Sequence, residues 1–383
     1  MGIYSEYIGK KMSYDEICAE RKRQLARIKT IRKRDILVFA SDLTRQGPNG
    51  IQYGDLLPFY DKLSEIKTKN IDVLLETPGG DAVIVEDMVK RIRSQFNKFA
   101  VIIPGAAKSA GTILAMAADE ILMSKDSSLG PIDAQIMRGG KVFSAGAFLD
   151  GIENIKRRAA EEGKLNPVYL PILYNVSPGE IQHCENAQMF SQNLVAEWLK
   201  NYKFKMWCSH KDGRLVTEEE KANRAKEIAG KLADSGRWLT HGRSIHIEDL
   251  TDMGVRINNF DDDGEALSDA IRRYYALLKI SFGSPVCKIF ETLEGHIELK
   301  INAPKTAPIS ANLADSVIVD FVCPGCKHKQ ILQANFKHGL PMAMGAIPFP
   351  ESNIVKCSSC GKDTNLATLR QKIEKDARRV LVF

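Results

Sequence analysis

Residues 71–92 read IDVLLETPGGDAVIVEDMVKRI, residues 98–123 read KFAVIIPGAAKSAGTILAMAADEILM, and residues 127–133 read SSLGPID. Three short apolar runs, Ile71–Glu76, Phe99–Pro104 and Glu120–Met123, alternate with two stretches of helical spacing. In the first of those stretches Ile84, Met88 and Ile92 form one stripe, with Val85 and Val89 beside it. Strands alternating with helices predict a parallel sheet of right-handed βαβ units. Each of the first two strands ends in small residues and turns into a helix. Chemistry in such folds gathers at the carboxyl ends of strands. Two features stand there: the Gly79-Gly80 pair, and Ser109 at the mouth of the second helix.

Outward from this stretch, Asp35–Ser41 (DILVFAS) reads as a first buried strand, followed by a loop rich in Gly, Pro and Asn. Leu56 to Lys67 has Leu57, Tyr60, Leu63 and Ile66 at helical spacing. Residues 1–34 predict a basic helical arm whose Ile17, Leu25 and Ile28 can pack on the main domain. After LGPID, residues 141–163 predict a short hairpin and a helix. Ser177-Pro178-Gly179-Glu180 is a helix start, with a serine cap, proline at the first helical position and glutamate three residues past the cap. That helix should run to about Tyr202. Thr217 with Glu220 repeats the capping spacing. Ile247–Met253 predicts a short helix stopped by Gly254, Asp262–Ile280 an amphipathic helix, and Val286–Ile301 a hairpin around Glu294-Gly295. The segment NAPKTAPISANLADS (302–316) reads as a linker, which leaves 35–301 as a main domain and 317–383 as a C-terminal module.

A serine hydroxyl needs a base and an oxyanion hole before it acts as a nucleophile. Ser109 lies where strand gives way to helix, among Ala107, Lys108, Ala110 and Gly111. The helix start leaves amide donors unsatisfied and carries positive partial charge. The residues alone leave open whether Ser109 is a nucleophile or only a helix cap. They leave the Pro-Gly-Gly turn equally open between punctuation and a pair of exposed amides.

TPGGDAVIVEDMVKRI (77–92) with GAAKSAGTILAMAADEILMSKDSSLGPIDAQI (105–136) resembles the Clp-fold serine peptidases, which include the Clp protease proteolytic subunit and signal peptide peptidase A. It resembles most the serine dehydrogenase proteinases, the SDH family. SGRWLTHGRSIHIEDLTDMGV (235–255) resembles the late segment of the same fold, so the likeness spans roughly residues 35–257. The resemblance implies a Clp/crotonase-like α/β spiral of ββα units, a homo-oligomer and a polypeptide substrate. It implies Ser109 as nucleophile, the amides of Gly80 and Ala110 as oxyanion hole, and His241 as general base oriented by Asp133. The related lysine-base scheme would draw on Lys108, Lys141, Lys156 or Lys164, with the lysine desolvated. His246 is the nearest substitute for His241; His183, alone on its helix, reads as a packed or surface residue.

Cys323-Pro-Gly-Cys326 and Cys357-Ser-Ser-Cys360 are paired knuckles of the kind that close a tetrahedral zinc site, which predicts a zinc ribbon. Cys18, Cys184, Cys208 and Cys287 are scattered. From Phe321 onward ten Lys/Arg face four Asp/Glu, a net +6, whereas the rest of the 383-residue chain balances 44 against 44. The excess permits docking of an acidic protein or nucleic acid at the ribbon, or a solvated basic face. No apolar run reaches the ~20 residues of a membrane span, and no apolar signal region follows the basic N-terminus, so a cytoplasmic protein is expected. Without a Walker-type motif, any ATP-driven unfolding would need another protein. The alternatives to a peptidase are a crotonase-like acyl-CoA enzyme and a non-catalytic scaffold.

Overall fold

The computed structural model describes residues 2–45, 49–138, 140–210, 212–301, 315–377 and 379–383. The chain divides into two compact units, Met1–Ile301 and Asn302–Phe383. Most of the expected linker, residues 302–314, lies outside the described residues.

The first unit is built on strands β1 (Asp35–Ser41), β2 (Asn70–Glu76), β3 (Lys98–Ile103), β5 (Glu120–Met123), β9 (Asn258–Asn259), β10 (Val286–Glu291) and β11 (His296–Lys300), in the order β11-β10-β1-β2-β3-β5-β9. From β1 to β9 every pairing is parallel; β10 and β11 add an antiparallel edge beside β1. The expected parallel sheet is therefore the central part of a mixed one. The predicted hairpin at 286–301 supplies the rest, since a tight hairpin can only pair antiparallel.

All seven residues of β1 are buried because helices cover both faces of the sheet. Alternate side chains divide between two cores. Leu37, Phe39, Val73, Leu75, Val101 and Ile103 point into one, with Ile84, Val85, Met88 and Ile92 of the Ala82–Gln95 helix. Ile36, Val38, Leu74, Ile102 and Leu122 point into the other, against the helices Tyr14–Arg32 and Glu265–Ser281. The N-terminal segment is thus part of this second layer: Ile17, Leu25 and Ile28 are buried, and so is Arg21. Arg21 Nε lies 3.1 Å from Glu291 Oε2, its Nη1 donates to Ser281 Oγ at 2.6 Å, and Tyr274 donates to the same glutamate at 2.5 Å. A buried charge persists only when so fully partnered.

Two small parallel bridges prepare the site. Strand β4 (Ala106–Ala107) pairs with β6 (Ser128–Leu129), and Thr77 bridges Ala107. Beyond Asp133, β7 (Gln135–Arg138) and β8 (Lys141–Ser144) form a hairpin that starts earlier than the expected one, because its first strand precedes residue 141; the expected helix follows at Ala145–Glu161. The helix Pro178–Trp198 starts with the full reciprocal capping box of Ser177 and Glu180 and passes directly into a π turn, Leu199–Lys203. The helix Glu218–Ala233 carries the same box at Thr217 and Glu220. Gly254, at φ +82°, closes the Ile247–Asp252 helix.

The second unit has its own core, centred on Phe321, Leu332, Phe336, Phe349 and Val355. β12 (Ser316–Val322) and β13 (Lys329–Asn335) pair antiparallel, β14 (Ala346–Pro348) joins β13 in parallel, and β15 (Ile354–Lys356) pairs with β16 (Asp363–Asn365). Among the described residues no helix is long and apolar enough to cross a membrane.

Candidate active site and cysteine cluster

Strand β2 ends at Glu76, and the next four residues fold back against the turn that carries Ser109. The Thr77 amide donates to Ala106 O at 3.0 Å and the Lys108 amide to Thr77 O at 2.9 Å, so the two strand-end turns are laced together. Their approach demands glycine. A Cβ on Gly79 would stand 2.6 Å from the Ser109 Cβ, one on Gly80 would stand 2.3 Å from the Ile51 backbone, and one on Gly111 would meet the Thr77 methyl at 2.4 Å. Gly79 and Gly80 also have φ of +110° and +140°, where a side chain is strained.

Ser109 itself sits at φ +50°, ψ −116°, outside the regions that L-residues favour. Such a conformation costs on the order of 1–3 kcal/mol and persists only where its surroundings impose it. It occupies the cap position of the Ala110–Met116 helix, yet its side chain makes no capping hydrogen bond. A cap that does not cap is left for other work. The amides of Gly80 and Ala110 are likewise unengaged: among the described residues neither donates a hydrogen bond, although Gly79 O and Asp81 N on either side of Gly80 both pair with Ile51.

Ser109, Gly80, Ala110 and Asp133 all line one cavity of about 620 Å³. Asp133 is held there by the LGPID segment. Thr112, inside the nucleophile helix, donates its hydroxyl to Gly130 O at 2.9 Å and accepts the Gly130 amide at 3.0 Å. The Asp133 side chain is 3% exposed; its Oδ1 lies 2.7 Å from His241 Nδ1, and its Oδ2 accepts from Gln135 Nε2 at 2.8 Å. His241 follows Leu239, a left-handed residue at φ +65°, and keeps Nε2 without a partner among the described residues. The structure thus pairs His241 with Asp133 and gathers Asp133 with Ser109. Among the described residues it makes no hydrogen bond between Ser109 and His241.

Lys108 spends its ammonium elsewhere. Nζ donates to Leu129 O at 2.8 Å, to Ser244 Oγ at 3.0 Å and to Arg243 O at 3.4 Å, which ties the Ser109 turn to both segments that lead to Asp133 and His241. Burial pushes this lysine down to about 8. Lys156 pairs with Glu153, and none of Lys108, Lys141, Lys156 and Lys164 lines the cavity. His246 donates from Nδ1 to Ser127 O at 2.9 Å and occupies the N-cap position of the Ile247–Asp252 helix, away from the cavity.

His183 is exposed, as expected of a surface residue, and it also lines the Ser109 cavity together with Asn186, Ala187, Phe190 and Ser191, a role the sequence does not show. The signal was their helical spacing, i, i+3, i+4, i+7 and i+8, on the Pro178–Trp198 helix. Mixed polar and apolar character hid it, because a cavity wall lacks the uniform stripe of a core face.

In the second unit the four cysteines of the two knuckles converge. Cys323 Sγ and Cys360 Sγ are 3.6 Å apart, as are Cys326 Sγ and Cys357 Sγ, and all four lie within 4.8 Å of one another. These separations are far beyond the ~2.05 Å of a disulfide and close to the ~3.8 Å between thiolates on a tetrahedral zinc. Backbone amides of Cys326 and Gly325 point at Cys323 and push its thiol down to about 6.

Residues 63–165 match the family model described as ClpP-like SDH-type serine proteinase; this span holds Gly80, Ser109, Ala110 and Asp133 and ends before His241 and the cysteines. Among curated proteins, the chain is 30% identical over 210 residues to the uncharacterized protein MJ1495 of Methanocaldococcus jannaschii, covering 55% of this chain and 56% of that one. It is 29% identical over 192 residues to the uncharacterized protein MJ0137 of the same organism, covering 50% and 54%. The chain therefore spans about half the length of the curated relatives it matches. Two solved structures of mutants of the 1510-N membrane-bound stomatin-specific protease are similar over part of the chain. One has 15% identity and a TM-score of 0.27, covering 52% of this chain and 68% of that one. The other, in complex with a substrate peptide, has 20% identity and a TM-score of 0.21, covering 50% and 78%. Residues 63–165, which carry the strained serine and both glycines of the facing turn, are thus similar to the ClpP-like SDH-type serine proteinases.

Proposed function

We propose that the protein is a serine peptidase that cleaves peptide bonds through an acyl-enzyme on Ser109. The observation that carries this reading is the strained Ser109, with its hydroxyl unspent, on the same cavity as the two unengaged amides of Gly80 and Ala110. Ser109 Oγ attacks the scissile carbonyl while its proton passes to His241 Nε2. The carbonyl oxygen, now an oxyanion, takes the Gly80 and Ala110 amides. Asp133 holds Nδ1 and stabilises the imidazolium. The C–N bond breaks as the imidazolium protonates the leaving amine, and water then repeats the sequence to release the acid and restore Ser109. The imidazole reaches Ser109 on substrate binding; catalytic hydrogen bonds commonly tighten only in the complex.

A fluorophosphonate probe tests the reading. The folded chain should be labelled once, and Ser109→Ala should abolish labelling. His241→Ala should slow it by at least about 10²-fold, the typical worth of a general base. Absence of labelling in the wild type would favour the scaffold reading. Labelling that survives Ser109→Ala would place the nucleophile elsewhere.

The same reading gives the chain polypeptide substrates and a homo-oligomeric assembly, as the family resemblance implies. For the second unit we propose a zinc ribbon with Cys323, Cys326, Cys357 and Cys360 as ligands. The closed four-sulfur set suits a structural ion, with no open position for chemistry. An acidic protein partner is our reading of the net +6 from Phe321 onward.

A further inference from the structure

Ser109 lies past the carboxyl ends of the parallel strands. At their amino ends a second cavity, of about 500 Å³, is framed by the first residues of β3, β5 and β9. Lys98, Lys203, Lys205 and Arg256 line it, together with Asp119 and Glu120. The two carboxylates are already spent. Glu120 takes Arg34 at 2.5 Å and Arg32 at 3.1 Å, while Asp119 takes Arg93 at 2.9 Å and the Phe99 amide at 2.8 Å. Among the described residues none of the four lining cations makes an ion pair.

Lys203 is the most telling of the four. It is partly buried at the end of the π turn, and among the described residues its ammonium reaches only the backbone oxygen of Asp119, at 3.5 Å. Burial, with Arg256 adding to it, holds this lysine down at about 8; the charges of Glu120 and Asp119 do not offset the loss of water. A lysine withdrawn from water without a counter-ion is costly, and the cost is recovered when an anion arrives. Tyr202 walls the same cavity and is held in place by the Arg93 guanidinium, 3.8 Å from its ring centroid. Composition does not produce this cluster, because the chain before Phe321 has 44 basic and 44 acidic residues. It is a matter of placement: three arginines consume the local acids, and four further cations face one concavity.

We propose that this cavity is a binding site for a small polyphosphate ligand, recognised by its pyrophosphate group. Four cations call for several negative charges on one molecule, and charge-assisted contacts from Lys and Arg are the usual means of holding phosphate oxygens. A volume of about 500 Å³ falls in the range of small-molecule pockets, which also favours a compact ligand over a nucleic-acid strand.

Isothermal titration of the full-length chain tests the site, with inorganic pyrophosphate as one probe and ADP as the other. Binding of one equivalent, weakened by added salt, is expected. Lys203→Gln and, independently, the exposed Arg256→Gln should each weaken it at least about tenfold. Lys164→Gln, a surface charge lost elsewhere, should leave it unchanged. Pyrophosphate should raise the melting temperature of the wild type but not of Lys203→Gln. ADP binding more tightly than pyrophosphate would assign the ligand to nucleotides; equal or weaker binding would assign it to free polyphosphates. No binding up to about 5 mM, equal loss in Lys164→Gln, or full affinity in both Lys203→Gln and Arg256→Gln overturns the site.

Discussion

At residue 79 a hydrogen atom stands where any other amino acid would place a carbon 2.6 Å from the Ser109 Cβ, at a φ of +110°. Gly79→Ala should therefore cost more than about 2 kcal/mol of stability, from a clash and a strained backbone together. It should also abolish fluorophosphonate labelling even in whatever fraction stays folded, because relief of the clash moves Ser109. Urea unfolding read beside labelling separates the two effects. Lys108 offers a pH test. Its folded pKa, about 8, lies below the ordinary 10.5, so the folded chain binds the proton less well than the unfolded chain does. The penalty is present in full below about 8 and disappears as the pH rises to 10.5. Wild-type stability should therefore climb relative to Lys108→Met across that window. The slope of the difference in urea midpoint against pH is the measurement, and a flat difference would show that the lysine is not held low.

The elements differ in how plainly the chain announces them. Asp35–Ser41 and Glu120–Met123 end where the sequence says, because buried strands are uninterrupted apolar runs bounded by charge or turn residues. Ser177 and Thr217 mark their helices because capping is a local contest, settled within four residues. The π turn after Trp198 and the shared wall of His183 and Phe190 were not legible, since both depend on what the helix packs against. The LGPID segment shows the limit for the candidate site. Its residues mark it as special, but only the fold brings Asp133 within 2.7 Å of His241, 108 positions away. The N-terminal helix is a further case: its basic residues suggest an arm, whereas the packing around Arg21 makes it part of the core. Arg21→Ala should destabilise the chain by roughly 3 kcal/mol, because it strands Glu291 among buried groups. Chemical denaturation of the variant reads this directly.

Over the whole molecule, the two units have separate hydrophobic cores and separate means of support. The second is small, and in the proposed ribbon its four clustered cysteines hold one zinc. Chelation, or Cys323→Ser, should release one zinc per chain and unfold residues 317–383, seen as loss of metal by mass spectrometry and of a low-temperature melting step. Labelling at Ser109 should persist through both treatments. The first unit is threaded differently. The Pro178–Trp198 helix has 21 residues and so measures about 32 Å. Its middle turns, from His183 to Ser191, border the cavity of Ser109, and the π turn at its end delivers Tyr202 and Lys203 to the cation-lined one. One element that borders both sites offers a physical route by which binding at either can act on the other. Thermodynamic reciprocity then makes the traffic symmetric: whatever occupancy beside Lys203 does to acyl-chain affinity, an occupied acyl site must do, by the same factor, to the anion.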